Sequence, residues 1–358
     1  MKIPALVEID PDFWLRRRVL VTGHTGFKGA WLSLWLQSLG AEVTGLARGV
    51  PTSPSLYELA DVAAHMRELA GDVRDAAAVQ GALRDARPQV VLHLAAQPMV
   101  RRSLRDPALT YEVNVMGTVN VLDAVRRASD DVLAVVIVTS DKCYENPAGG
   151  SRRFVEDDPL GGSDPYSSSK ACAELVARAY GRSFFSGEDS PGLGTARAGN
   201  VIGGGDWGED RLVPDAVRAV DAGQPLLVRN PAAVRPWQHV LSPLGGYLRL
   251  AEALAQGADG APGAWNFGPA QDDVRPVSWI VERLAELWRG ELSWRLDEAE
   301  NPPEAGHLAL DSSAAERVLG WRPACSLQQA LELVVEWHRA HRRGEDMRRV
   351  SLAQIATS

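Results

Sequence analysis

At 358 residues the chain is long enough to bury a sizeable core and to form one large α/β unit with a smaller appended lobe. Its 45% hydrophobic and 23% charged residues match globular averages and exclude a disordered or fibrous class. A formal net charge of -8 excludes nucleic acid as a default partner, because duplex binding relies on clustered Lys and Arg, so any anionic ligand must be held by local groups. The cysteines, Cys143, Cys172 and Cys325, form no CxxC pair, and the histidines, His239 among them, show no ligand spacing. No disulfide and no metal is expected. The opening residues lack the apolar run of a signal peptide, and no stretch of about 18 apolar residues follows. A soluble cytoplasmic protein without membrane contact is expected.

A β-branched strand at 18–22 runs straight into Gly23-His24-Thr25-Gly26-Phe27-Lys28-Gly29 and then a helical pattern at 29–40. GxxGxxG between a strand and a helix suits a dinucleotide pyrophosphate. Gly23 permits the tight turn, Gly26 the approach of the phosphates, Gly29 close helix packing, and the helix N-terminus attracts the anion. Trp31 and Trp35, at helical spacing, read as core, as does Trp279. The second strand, 42–46, completes a βαβ unit but ends at Arg48, where an acid would grip the adenosine ribose. Arg48 suits a 2′-phosphate, so the motif leaves NAD and NADP both open. Asp72-Val73, after a third short strand, is either an adenine-edge contact or a solvated turn.

The unit recurs as a strand at 90–94, a long helix at 111–128 and a strand at 133–140, which is nearly all apolar and therefore buried on both faces. Its end, Ser140-Asp141-Lys142, is either solvated loop or working chemistry. Asp164-Pro165 then opens a helix to about residue 185, with Tyr166 and Lys170 four apart on one face. An ammonium beside a phenol lowers the phenol's pKa, which hydride removal from an alcohol needs. Past a strand at 194–198 the texture turns rich in Gly and Pro, with helices at 278–289 and 327–342 and a polar tail, 343–358, expected to fray or lie loosely. The expected fold is a Rossmann doubly wound parallel sheet over 14–198, with late elements at about 236–267. A smaller mixed α/β C-terminal lobe takes 199–235 and 268–345.

The stretches TGHTGFKGAWLSLWL, LHLAAQPMVRRS, TSDKCYEN, DPLGGSDPYSSSK, ARAGNVIGGGDW, RPWQHVL and WNFGP, in this order, resemble the extended short-chain dehydrogenase/reductase superfamily. More narrowly they resemble the nucleoside-diphosphate-sugar 4,6-dehydratases, and most closely the CDP-glucose branch, which has lysine where other branches carry glutamate. The resemblance implies tightly held NAD, regenerated each turnover. Tyr166, aided by Lys170 and Ser140, would take the C4 hydroxyl proton, Asp141 would protonate the departing C6 hydroxyl, and Lys142 would stand near C5.

It also implies cofactor contacts at Gly23, Thr25, Gly26, Phe27, Lys28, Gly29, Arg48, Asp72, Val73, Leu94, Ala95, Ala96, Thr139, Tyr166 and Lys170. Substrate contacts are implied at Gln97, Arg102, Asn200, Arg211, Arg235 and Asn266, with Arg235 suited to the pyrophosphate. A homodimer through a four-helix bundle, from helices at 109–128 and 167–185, is expected on the same ground. The alternatives are a dehydratase or epimerase for a dTDP-, UDP- or GDP-linked sugar, and a cofactor-sensing regulator. A regulator would be degraded at Tyr166, Lys170 or Asp141, and all three are intact.

Overall fold

The computed structural model describes residues 9–128, 131–146, 152–299 and 307–357. Seven parallel strands form the main sheet: β1 (Arg18–Thr22), β2 (Glu42–Ala47), β3 (Arg67–Ala70), β4 (Val90–His93), β5 (Ala134–Val138), β6 (Gly192–Ala198) and β7 (Gly263–Phe267). Their spatial order is β7-β6-β5-β4-β1-β2-β3, so the order reverses between β1 and β4. Ligands of such sheets bind in the crevice beyond the strand C-termini at this switch point. Every residue of β5 is buried, as its apolar run requires.

Alternate strand residues feed two cores. Val19, Val21, Val90, Leu92, Val136 and Val138 face one side, with α1 (Phe27–Ser38). Leu20, Leu46, Val91, Val135 and Ile137 face the other, under α2 (Ala76–Ala86), α3 (Gly117–Arg127) and α4 (Pro165–Phe184). The expected helix at 111–128 starts earlier, at Pro107–Tyr111, and reaches α3 through a π-helical turn, Glu112–Met116.

A third core joins α5 (Leu212–Ala222), the short strand Leu226–Val228 and two later helices, α7 (Val277–Leu287) and α8 (Leu327–Arg342). Between β6 and β7 in sequence lies α6 (Leu241–Ala255), apolar on nearly every side and therefore buried against the sheet. Trp31 and Trp35 are core as expected, whereas Trp279 is half-buried under the Arg275 guanidinium.

The tail corrects the sequence expectation. Residues Met347–Ile355 form α9, capped by Asp346, with Met347, Ser351 and Ile355 buried and a Trp337 Nε1 to Ser351 Oγ bond of 2.9 Å. Arginines mask an i, i+4, i+8 inner face there. Among the described residues no helix is long and apolar enough to cross a membrane, and no cluster of side chains suits a metal ion.

Candidate functional site

The ends of β1, β4, β5 and β6 converge on one cleft. After β1, Gly23 takes a φ of +76°, and a Cβ there would stand 2.8 Å from the Ala95 backbone. A Cβ on Gly29 would meet the Gly23 carbonyl oxygen at 2.1 Å, so this glycine seats α1 against the turn. Gly26 differs: its Cβ would have only the Gly23 oxygen nearby, at 3.4 Å. Open space lies beyond it, and no side chain caps the first turn of α1. An open glycine at an uncapped helix N-terminus fits a pyrophosphate. The Leu94, Ala95 and Ala96 backbone lies alongside, tied by Leu94 and Ala95 N–H bonds to Thr22.

Beyond the turn, the Thr25 hydroxyl donates to the Gly49 carbonyl, and His24, which the sequence reading passed over, is buried against Gly45 with Nε2 at 2.8 Å from Glu68. Arg48 lies 3.6 Å from Asp72, whose carboxylate is also bonded by Arg74 at 2.8 Å and held below its ordinary pKa, chiefly by that bond. Val73 is buried under Gly117.

Tyr166 is the second residue of α4, behind Pro165 and the N-cap Asp164, and its N–H donates to Ser103 Oγ. The phenol is buried and hydrogen-bonded to the Ser140 side chain. Burial pushes its pKa up to about 12, with Ser140 and Arg211 pulling down and Asp141 pushing further up. The sequence reading had the lysine lowering this value; desolvation wins instead. Lys170 Nζ donates to the Val138 carbonyl at 3.1 Å, and burial lowers its own pKa to about 8, against the pull of Glu174.

Ser140 begins a single 3₁₀ turn, Asp141–Cys143, and its Oγ donates to Asp141 Oδ1 at 2.9 Å. Asp141 is buried, and its Oδ2, with no hydrogen-bond partner, points at Gly199. Burial raises its pKa, opposed by Lys142, Ser140, Lys28 and Arg235. A buried carboxyl with a raised pKa beside a hydroxyl pair has the character of a general acid. Lys142 is half-buried on the same turn.

Lys28 goes beyond its expected place in the turn: its ammonium is 3.4 Å from the Tyr247 hydroxyl. Burial, Lys170 and Arg211 lower its pKa to about 8, while Asp141 raises it. Tyr247, on the mostly apolar α6, gave no sequence signal. Arg211 is held by Asp206 at 2.9 Å, and Arg235 is buried, bonded to the Val234 carbonyl, in the field of Asp141.

Other expected contacts turn elsewhere. Asn266 is fully buried; its amide donates to the Phe154 and Asp311 carbonyls and accepts from the Tyr144 hydroxyl, so no group is left for a ligand. Gln97 likewise spends its amide on Met99 and Thr110. The Thr139 hydroxyl points behind the sheet to Glu174. Arg102 is exposed on the short helix Val100–Arg105, and Asn200 is half-buried just after β6.

The family model described as GDP-mannose 4,6 dehydratase matches residues 20–334. A CDP-glucose 4,6-dehydratase of Salmonella typhimurium is 47% identical over 357 residues, 97% of this chain and 98% of the relative. Among solved structures, the dTDP-glucose 4,6-dehydratase DesIV of Streptomyces venezuelae, a double mutant with NAD and DAU bound, is 27% identical with a TM-score of 0.77, covering 92% of this chain and 99% of that one. The UDP-glucose 4-epimerase of Thermus thermophilus, in complex with NAD, is 27% identical with a TM-score of 0.75, covering 90% and 99%. With the model match spanning most of the sheet and the lobe, this chain belongs to the GDP-mannose 4,6 dehydratase family within the extended short-chain dehydrogenase/reductases.

Proposed function

We propose that this enzyme is a hydro-lyase converting CDP-D-glucose to CDP-4-keto-6-deoxy-D-glucose, with NAD held tightly through each turnover. The observation that carries the reaction type is the buried Tyr166 hydroxyl beside Ser140, with Asp141, its Oδ2 unpartnered and its pKa raised by burial, next on the same turn. The 47% identity to the Salmonella relative supports the choice of sugar nucleotide.

When bound, NAD would supply a hydride acceptor for C4 and the same hydride for C6, with a proton returning to C5, so no outside reductant would be consumed. Gly23, Gly26, Gly29 and the first turn of α1 with Phe27 and Lys28 would hold its pyrophosphate. Asp72 and Val73 would border the adenine, with Arg48 paired to Asp72, and Leu94 to Ala96 with Thr139 would flank the nicotinamide ribose.

Tyr166 takes the C4 hydroxyl proton; a phenol near 12 needs help, which Ser140 and the Arg211 charge supply. The resulting ketone acidifies C5–H. Lys142 is the group assigned to C5, as base when neutral and as enolate stabiliser when charged. Asp141 gives its proton to the departing C6 hydroxyl, and its burial is what keeps that proton available. Arg235 answers the substrate phosphates, with Asn200 beside it, Arg211 towards the ribose or base and Arg102 towards the hexose.

We also assign the protein to the cytoplasm and to a homodimer through a four-helix bundle. Exposed Tyr111, Met116, Leu175 and Phe184, on the helical run ending in α3 and on α4, support the dimer. Light scattering in solution tests it.

The assay for the function is incubation with CDP-glucose, dTDP-glucose, UDP-glucose and GDP-mannose in turn, without reductant, read by mass. Loss of one water from CDP-glucose alone is expected; loss only from another substrate, or from none, overturns the reading.

A further inference from the structure

Glu174 stands one helical turn beyond Lys170 and two beyond Tyr166 on α4, so the three share a face. Its carboxylate is buried behind the sheet end. Oε1 accepts from Thr139 Oγ1; Oε2 accepts from Thr195 Oγ1 at 2.7 Å and from Arg197 at 2.8 Å. Arg197, equally buried, donates to the Tyr144 hydroxyl at 2.7 Å and the Glu156 carbonyl at 2.9 Å. Two buried ions cost several kcal/mol each to desolvate, and apolar residues of the same volume commonly serve packing as well or better. A reason beyond packing is therefore needed for an ion pair here.

Its position supplies one. The titratable and charged groups facing Lys170 are Glu174 on its own helix, the Cys143 thiol on the 3₁₀ turn, Lys28 on α1 and His93 on β4. Glu174 is the carboxylate among them. Thr139, which it anchors, immediately precedes Ser140.

We propose that Glu174, fixed by Arg197, is a positioning residue for the Tyr166–Lys170 pair: it supplies the counter-charge buried behind the Lys170 ammonium and, through Thr139, sets the strand end that carries Ser140. The inference rests on the proposed dehydratase reaction for its assay. Burial depresses the Lys170 ammonium to about 8 even with Glu174 working against that fall. Without the carboxylate the fall deepens, and Arg197 becomes an uncompensated buried cation. A depressed lysine loses its proton as pH rises through its folded value, so the alkaline loss of activity must start at lower pH.

The test is the pH profile of kcat and KM for CDP-glucose dehydration by wild type, Glu174→Gln and the double variant E174Q/R197M. The double variant removes both buried charges together and with them the cost of an unpaired ion, which protects its fold. For E174Q the alkaline limb is expected to move down by about one pH unit, with kcat near pH 8 down about tenfold and KM changed less than about twofold. In the double variant the limb recovers part of the way but stays below wild type. An unmoved limb in either folded variant, or an equal loss at all pH values, overturns the proposal. Should E174Q not fold, the double variant alone decides by the same criterion. No turnover by wild type would instead overturn the proposed reaction.

Discussion

Gly26 and Gly29 lie three residues apart in one turn, yet replacing each with alanine should break different things. In Gly29→Ala the new Cβ would sit 2.1 Å from the Gly23 carbonyl oxygen and 2.8 Å from the His24 Cα, all of it backbone. The turn must open, and overpacking of this kind costs about 3 kcal/mol, against about 1 kcal/mol gained in helix propensity. A net loss of about 2 kcal/mol lowers the melting temperature by about 3 °C in a chain of this length. In Gly26→Ala the Cβ meets only the Gly23 oxygen at 3.4 Å, and the backbone, at φ −76°, accepts any residue. Stability without added ligand changes by less than about 1 kcal/mol, the cost of a poorer cap. That methyl occupies the space an anion needs above the helix N-terminus. If it weakens NAD tenfold, the stabilisation by NAD at a hundred times the wild-type Kd falls from about 2.7 to about 1.4 kcal/mol. Thermal melts with and without NAD separate the two effects. A full NAD-induced shift in G26A would refute the placing of the pyrophosphate, and a wild-type melt of G29A would refute the rigidity of the turn.

Asp141→Asn should abolish dehydration by about 100-fold or more, the contribution of a general acid. Because burial raises the folded carboxyl above its ordinary 3.8, wild type loses stability as pH climbs from 3.8 through that raised value. The asparagine variant should show no such loss, so urea midpoints compared across this window should favour it at neutral pH. Asn266→Ala strands the Asp311 carbonyl and the Tyr144 hydroxyl proton and takes one of two bonds from the Phe154 carbonyl, and should cost about 2–4 kcal/mol in urea unfolding with KM unchanged. A raised KM at unchanged stability would return Asn266 to the ligand. Deleting residues 346–358 uncovers Trp337 and removes buried Met347 and Ile355, and should cost about 3 kcal/mol or more by the same measure. A wild-type midpoint would show the tail to be dispensable.

Strand–turn–helix alternation made the sheet legible, because buried parallel strands read as apolar runs and GxxGxxG marks where the first turn must tighten. The candidate site side chains were legible for the same reason: Ser140 and Asp141 follow a strand end, Tyr166 opens a helix, and Lys170 stands one turn further on. Long-range electrostatics was not legible. Nothing near Tyr166 in sequence announces that desolvation outweighs Lys170, or that Lys28 and Tyr247, 219 residues apart, would meet. Asn266 was expected at the ligand only because the family resemblance put it there; its three buried partners come from Tyr144, Phe154 and Asp311, visible only once the chain folds. The α9 helix was hidden by two arginines beside a narrow apolar stripe, of which Arg349 faces outward and Arg348 bonds Gln37 and the Ala60 carbonyl.

The central claim is that one site oxidises C4, eliminates water and reduces C6 without releasing reducing equivalents. CDP-glucose carrying deuterium at C4 tests it in a single mass and NMR measurement. The account predicts a product lighter by one water that keeps its deuterium, now on C6, with no NADH accumulating in solution. Deuterium washed into solvent, or a 4-keto product that still carries its C6 hydroxyl, would contradict it.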